Sequence, residues 1–180
     1  MASDAAAASS GCAGHWATPA PPDVSGDLLL SDLLDQARRL LASIEFAHAE
    51  LSVVLCDDPH IRALNHTHRG IDRPTDVLSF AMQEGDGQLE DDPVLGDLVI
   101  SIDTARRQAD ELGHPLDHEL RVLLVHGLLH LLGYDHETSP ADAEEMRAAE
   151  RKLLARLGDE EAGLIERVQS PDAVRTPQAP

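Results

Sequence analysis

The sequence predicts an α+β domain, a small mixed β-sheet packed with several helices around one buried helix. Three observations predict it. Segments 50–56, 76–82 and 95–102 have the alternating or β-branched apolar content of short strands. Five other segments carry apolar residues at helical spacing. One of them, 116–132, is apolar almost all round, which places it in the centre of the domain. Strands and helices in mixed rather than strictly alternating order point to α+β.

The chain has 180 residues, enough to bury a core, and only 2% aromatic residues, so Leu, Val, Ile and Ala must fill that core. Residues 1–26 are mostly Ala, Ser, Gly and Pro, a composition that buries too little apolar surface to offset its ordering entropy. They are expected to form a disordered extension, and Cys12 with them, so no disulfide to Cys56 is expected and a reducing compartment fits. This N-terminus lacks the basic and apolar runs of a secretory signal, and no stretch approaches the length of a membrane span. A cytoplasmic location with no membrane partner is the expectation. The net charge is −19, and the two ends contribute little of it: two acids in 1–26, five acids against two bases in 158–180. So acidic a domain disfavours casual nucleic-acid binding; RNA contact needs a local basic patch or delivery by a partner protein.

The domain is expected over 27–167. Leu30, Leu33, Leu34, Ala37, Leu40, Leu41 and Ile44 line one face of a first helix. Leu51, Val53 and Leu55 share a face of the first strand. Asp58 is the expected cap of a short helix with Pro59 in its first turn, anchored by Ile61 and Leu64 and ended at Arg69-Gly70. After the turn at 72–74 come the strand at 76–82, a solvated acidic loop at 83–94 and the strand at 95–102. Asp103 or Thr104 is expected to cap a helix that Gly113 ends. Ser139-Pro140 opens the last helix, with Met146, Ala149, Leu153 and Leu157 on its inner face. Residues 168–180 are expected to be a disordered tail.

The chemistry concentrates at one place. His126 and His130 are four apart, so on a helix they project side by side. Gly133 can end that helix in a left-handed conformation and return His136 to the same point. Three converging imidazoles make a tripodal site for one zinc-like ion with a fourth position open, as in catalytic rather than structural zinc sites. Zinc peptidases share these offsets but place a general-base Glu after the first His; here that position is Gly127. A glycine inside a helix costs about 1 kcal/mol relative to Ala, so it signals either room for a substrate or tight helix–strand packing. Without that base, a metal that clamps an anionic oxygen suits phosphodiester cleavage as well as peptide hydrolysis. The most basic segment offers an anion-binder: Arg62, Arg69 and Arg73 face a lone Asp72, and His60, His66 and His68 add charge below neutral pH.

These residues carry a resemblance. His126-Gly-x-Leu-His130-Leu-x-Gly133-Tyr134-Asp135-His136, Asn65-x-x-x-Arg69-Gly70, Pro74-Thr75-Asp76-Val77-Leu78-Ser79-Phe80, Leu95-Gly96-Asp97 and Glu144-Glu145-Met146 resemble the YbeY family of bacterial endoribonucleases. The resemblance runs from about residue 27 to 157. It implies one zinc on His126, His130 and His136, cleavage of single-stranded RNA, and a role in ribosomal RNA processing, notably the 3′ end of small-subunit 16S RNA, and in ribosome quality control. It implies ribosomes or ribosomal proteins as partners, not DNA, and it gives the catalytic Arg as Arg69. Asp135 and Asp97 are secondary expectations, as groups that could orient an imidazole. The chain departs from the pattern at His68, where the family usually has Tyr, and at Ala81, where it usually has Pro. Two other readings compete: a non-enzymatic ribosome-assembly factor with structural zinc, and a metallohydrolase of another substrate.

Overall fold

The computed structural model describes residues 11–22, 25–82, 94–159 and 163–165. Within them, in chain order, are strand β1 (Gly11–Trp16), helix α1 (Gly26–Ser43), β2 (Glu50–Cys56), α2 (Asp58–Arg69), β3 (Val77–Ala81), β4 (Val94–Ser101), α3 (Ile102–Leu112), α4 (Leu116–Leu131) and α5 (Pro140–Arg156). The sheet runs β1-β2-β4-β3. β1 and β4 flank β2 in parallel, and β3 pairs antiparallel with β4, so the sheet is mixed as expected. None of the helices in the described residues is long and apolar enough to cross a membrane.

β1 corrects the expectation of disorder across 1–26. Gly11 to Trp16 pair in parallel register with Glu50 to Leu55, and Cys12 is buried. Composition misjudged this stretch because an added edge strand needs no core of its own. It takes main-chain hydrogen bonds from an existing strand, and such tethering orders a terminus. Its small residues are what let it close on the sheet. A Cβ at Gly14 would stand 2.9 Å from the Val53 carbonyl oxygen and 3.0 Å from Leu30 Cδ1. The indole Nε1 of Trp16 donates to the Gly26 carbonyl at 3.2 Å, tying β1 to the start of α1. Both cysteines are buried, and no disulfide joins them. Burial, then the neighbouring Asp57 and Asp58, push the Cys56 thiol up to about 12, so it stays protonated and inert. Residues 1–10, 168–180 and all of the 83–94 loop except Val94 lie outside the described residues.

Two caps fall earlier than expected, for one shared reason. Asp57 caps α2, its carboxylate accepting from the His60 N–H at 2.9 Å. Ser101 caps α3. Asp58 is thereby released to join the two helices, accepting from Ser101 Oγ at 2.6 Å, Thr104 Oγ1 at 2.7 Å and Arg107 at 2.8 Å. Burial alone would raise its carboxyl, but these donors outweigh it and hold the group below its ordinary value. Ser139 caps α5 as expected, accepting from the Asp142 N–H.

α4 is the centre of the molecule, packed on α1, α3, α5, β3 and β4. Twelve of its sixteen residues are buried. Gly127 lies where it meets the sheet: a Cβ there would stand 2.8 Å from Leu98 Cδ2, 3.2 Å from Val77 Cγ2 and 3.3 Å from Ser79 Oγ. Ser79 Oγ donates to the Gly127 carbonyl at 3.1 Å across that contact. Of the two readings of Gly127, tight helix–strand packing is the one the contacts support.

A Gly127→Ala substitution therefore tests the packing. Helix propensity favours Ala by about 1 kcal/mol, while overpacking costs about 1–3 kcal/mol. The urea midpoint of the metal-free protein should fall; a rise would show that the contact yields freely.

Candidate metal centre

The site is built by the end of α4. His126 and His130 stand one turn apart on it, and Leu131 closes the helix. Gly133 adopts φ +90, a left-handed conformation that favours glycine. Its N–H donates to the His130 carbonyl at 3.0 Å, and the Tyr134 N–H to the Leu129 carbonyl at 3.0 Å. This tight reversal brings His136 back over the helix end.

The three imidazoles converge. One nitrogen from each lies within 4.8 Å of the other two. The Nε2 atoms of His126 and His130 are 3.1 Å apart, and the three ring-centroid separations are 4.7, 5.3 and 5.3 Å. His126 is buried. Its Nδ1 lies 2.7 Å from Glu150 Oε1. With the N–H on Nδ1 facing that carboxylate, the Nε2 lone pair is left free to face the other two rings. Burial, then the proximity of His126 and His136, hold the His130 ring down to about 4, so near neutral pH it is the uncharged, ligating form. Three imidazole nitrogen donors, one ring fixed by a buried carboxylate, fit a divalent ion such as zinc with one position left open.

Glu150 is the site residue that the sequence reading passed over. It is buried, on α5. The signal was present: Glu150 falls four residues after Met146 and three before Leu153, a charge inside an apolar stripe. The carboxylate seen bonded to a ligand imidazole among the described residues is that of Glu150, where Asp135 or Asp97 was expected. Asp135 accepts from the Glu137 N–H at 2.8 Å and from Thr138 Oγ1 at 2.9 Å, bonds that hold its carboxyl below the usual range and shape the turn carrying His136. Asp97 lies on β4 opposite Ser52 and Phe80.

The histidines open onto a groove of about 630 Å³ whose lining includes Arg69, Phe80 and Ile165. Arg69 is the last residue of α2, and Gly70, at φ +71, turns the chain away so that the guanidinium stays exposed. Asn65 fixes that turn, donating from Nδ2 to the Arg73 carbonyl at 2.8 Å. Of the three arginines expected to bind an anion, Arg62 is engaged by Asp72 at 2.7 and 2.9 Å, and Arg69 is the one lining the groove. The arrangement brings a cation, an apolar wall, the acidic Asp76, Asp135 and Glu137, and a candidate metal triad together.

Comparison with known proteins points to one family. A family model described as endoribonuclease YbeY matches residues 27–158. A Rhodopseudomonas palustris protein named endoribonuclease YbeY is 56% identical over 111 residues, covering 61% of this chain and 58% of its own length. A Bradyrhizobium protein of the same name is 49% identical over 140 residues, covering 76% of this chain and 80% of its own. The solution structure of TM1509 from Thermotoga maritima superposes with a TM-score of 0.55 at 30% identity, covering 75% of this chain and 85% of that one. β1 and residues 163–165 lie outside the span that the family model matches.

Equilibrium dialysis against zinc should give about one ion per chain, and His130→Ala should lose it. Glu150→Gln, which leaves the three imidazoles in place, should weaken binding by about 10–100-fold. Zinc retained at full affinity in His130→Ala would place the ion elsewhere.

Proposed function

The chain belongs to the endoribonuclease YbeY family, and we propose that it is a zinc-dependent endoribonuclease cutting single-stranded RNA. Its work would be ribosomal RNA processing, at the 3′ end of small-subunit 16S RNA, together with ribosome quality control in the cytoplasm. The observation that carries the reading is the convergence of His126, His130 and His136 beside Arg69 in one groove.

His126, His130 and His136 would hold the zinc ion, which would supply Lewis-acid chemistry toward a phosphoryl oxygen. The remaining work falls to the chain itself. Arg69 offers a planar fork of donors that matches a phosphate and can stabilise charge developing on it. Glu150 orients His126 through Nδ1. Gly127 holds no carboxylate, so the general base of the peptidase pattern is missing, which favours an anionic over a peptide substrate. The net charge of −19 gives the protein no broad RNA-attracting field, which supports delivery of RNA by a ribosomal partner. That same charge favours a second reading, a ribosome-assembly factor with structural zinc. The two separate at Arg69, since only the nuclease needs it.

Incubation of the zinc-loaded protein with single-stranded RNA should yield internal cuts. Arg69→Ala should slow them about a hundredfold or more with zinc content unchanged, and His130→Ala should lose zinc and cleavage together. Intact RNA with the wild-type protein, or Arg69→Ala cutting normally, contradicts the proposal.

A further inference from the structure

Residues 163–165 lie beyond the span matched by the family model, yet they reach the metal centre. The Ile165 N–H donates to Glu150 Oε2 at 3.1 Å, while Oε1 of the same carboxylate faces His126 Nδ1 at 2.7 Å. We infer that this segment is a working part of the site, the Ile165 N–H acting as a positioning group that sets the orientation of His126 through Glu150. The inference rests on the reading of the three histidines as metal ligands.

The physical case begins with burial. Glu150 is 1% exposed, so water cannot satisfy its oxygens. A buried carboxylate oxygen without a donor is costly. With Oε1 directed at His126, Oε2 requires its own donor, and the Ile165 main chain provides one. Two donors on opposite oxygens also fix the plane of the carboxylate, and hence the direction from which His126 receives its bond. The approach is possible because residue 163 is glycine: a Cβ there would stand 2.5 Å from Glu150 Oε2 and 2.9 Å from Glu150 Cβ. Ile165 is itself 3% exposed and, with Leu164, lines the groove, so the segment both covers the carboxylate and forms part of the groove wall.

The test measures zinc affinity of the full-length protein by competition with a chromogenic chelator. Ile165→Pro removes the N–H, Ile165→Val keeps it, and Gly163→Ala pushes the segment off Glu150. Ile165→Pro and Gly163→Ala should each weaken zinc about tenfold, and Ile165→Val should stay within about twofold of wild type. In a Glu150→Leu background, which leaves no side-chain acceptor for His126 Nδ1 at that position, Ile165→Pro should add nothing. The unfolding midpoint of each metal-free variant is read alongside, because packing alone would move that midpoint and leave affinity unchanged. Wild-type affinity in Ile165→Pro overturns the inference. So does equal weakening by Pro and Val, or a Pro effect that persists in the Glu150→Leu background. A wild-type protein that binds no zinc instead removes the metal reading itself.

Discussion

The bond between His126 Nδ1 and Glu150 Oε1 is the interaction on which the rest of the site depends. It joins α4 to α5 through two buried polar groups, in a place where neither could remain without the other. It also decides which imidazole nitrogen is free. With Nδ1 committed, Nε2 of His126 faces His130 and His136, and three rings that might have been surface residues become a donor set. Both groups are buried, and so are Met146 and Leu153 on the same face of α5 and Ile165, whose N–H bonds the same carboxylate.

That bond could not hold its geometry on a loosely seated helix. α4 is pressed onto β3 and β4 at Gly127, where a methyl group would collide with Leu98. One glycine therefore serves packing and stands where zinc peptidases carry their base. On the other side of the groove, Gly70 and Asn65 leave Arg69 exposed at the end of α2. Backbone turns at Gly70 and Gly133 thus place the cation and the third histidine.

Much of this was legible in the sequence because it is local. The pair His126 and His130 follows from helical spacing, and the return of His136 from Gly133. α4 could be placed at the centre because its residues are apolar on nearly every side. What escaped depends on partners distant in sequence. Gly11–Trp16 has no strand pattern of its own and becomes β1 only because β2 offers an edge. Asp58 reads as a cap but is claimed by Ser101, Thr104 and Arg107, 43 to 49 residues away. Glu150 lies 24 residues from His126, and only the packing of two helices shows that they meet. Asp135 lies inside the histidine motif and Asp97 in a separate stretch of the resemblance, which is a weaker warrant than a buried charge in an apolar stripe.

The most direct test of the central claim is X-ray absorption spectroscopy at the zinc edge of the metal-loaded protein. The account predicts scattering from three imidazole nitrogens at about 2.0–2.1 Å, with one further light atom. A shell of sulfur near about 2.3 Å, or one dominated by oxygen with no imidazole signature, would contradict it.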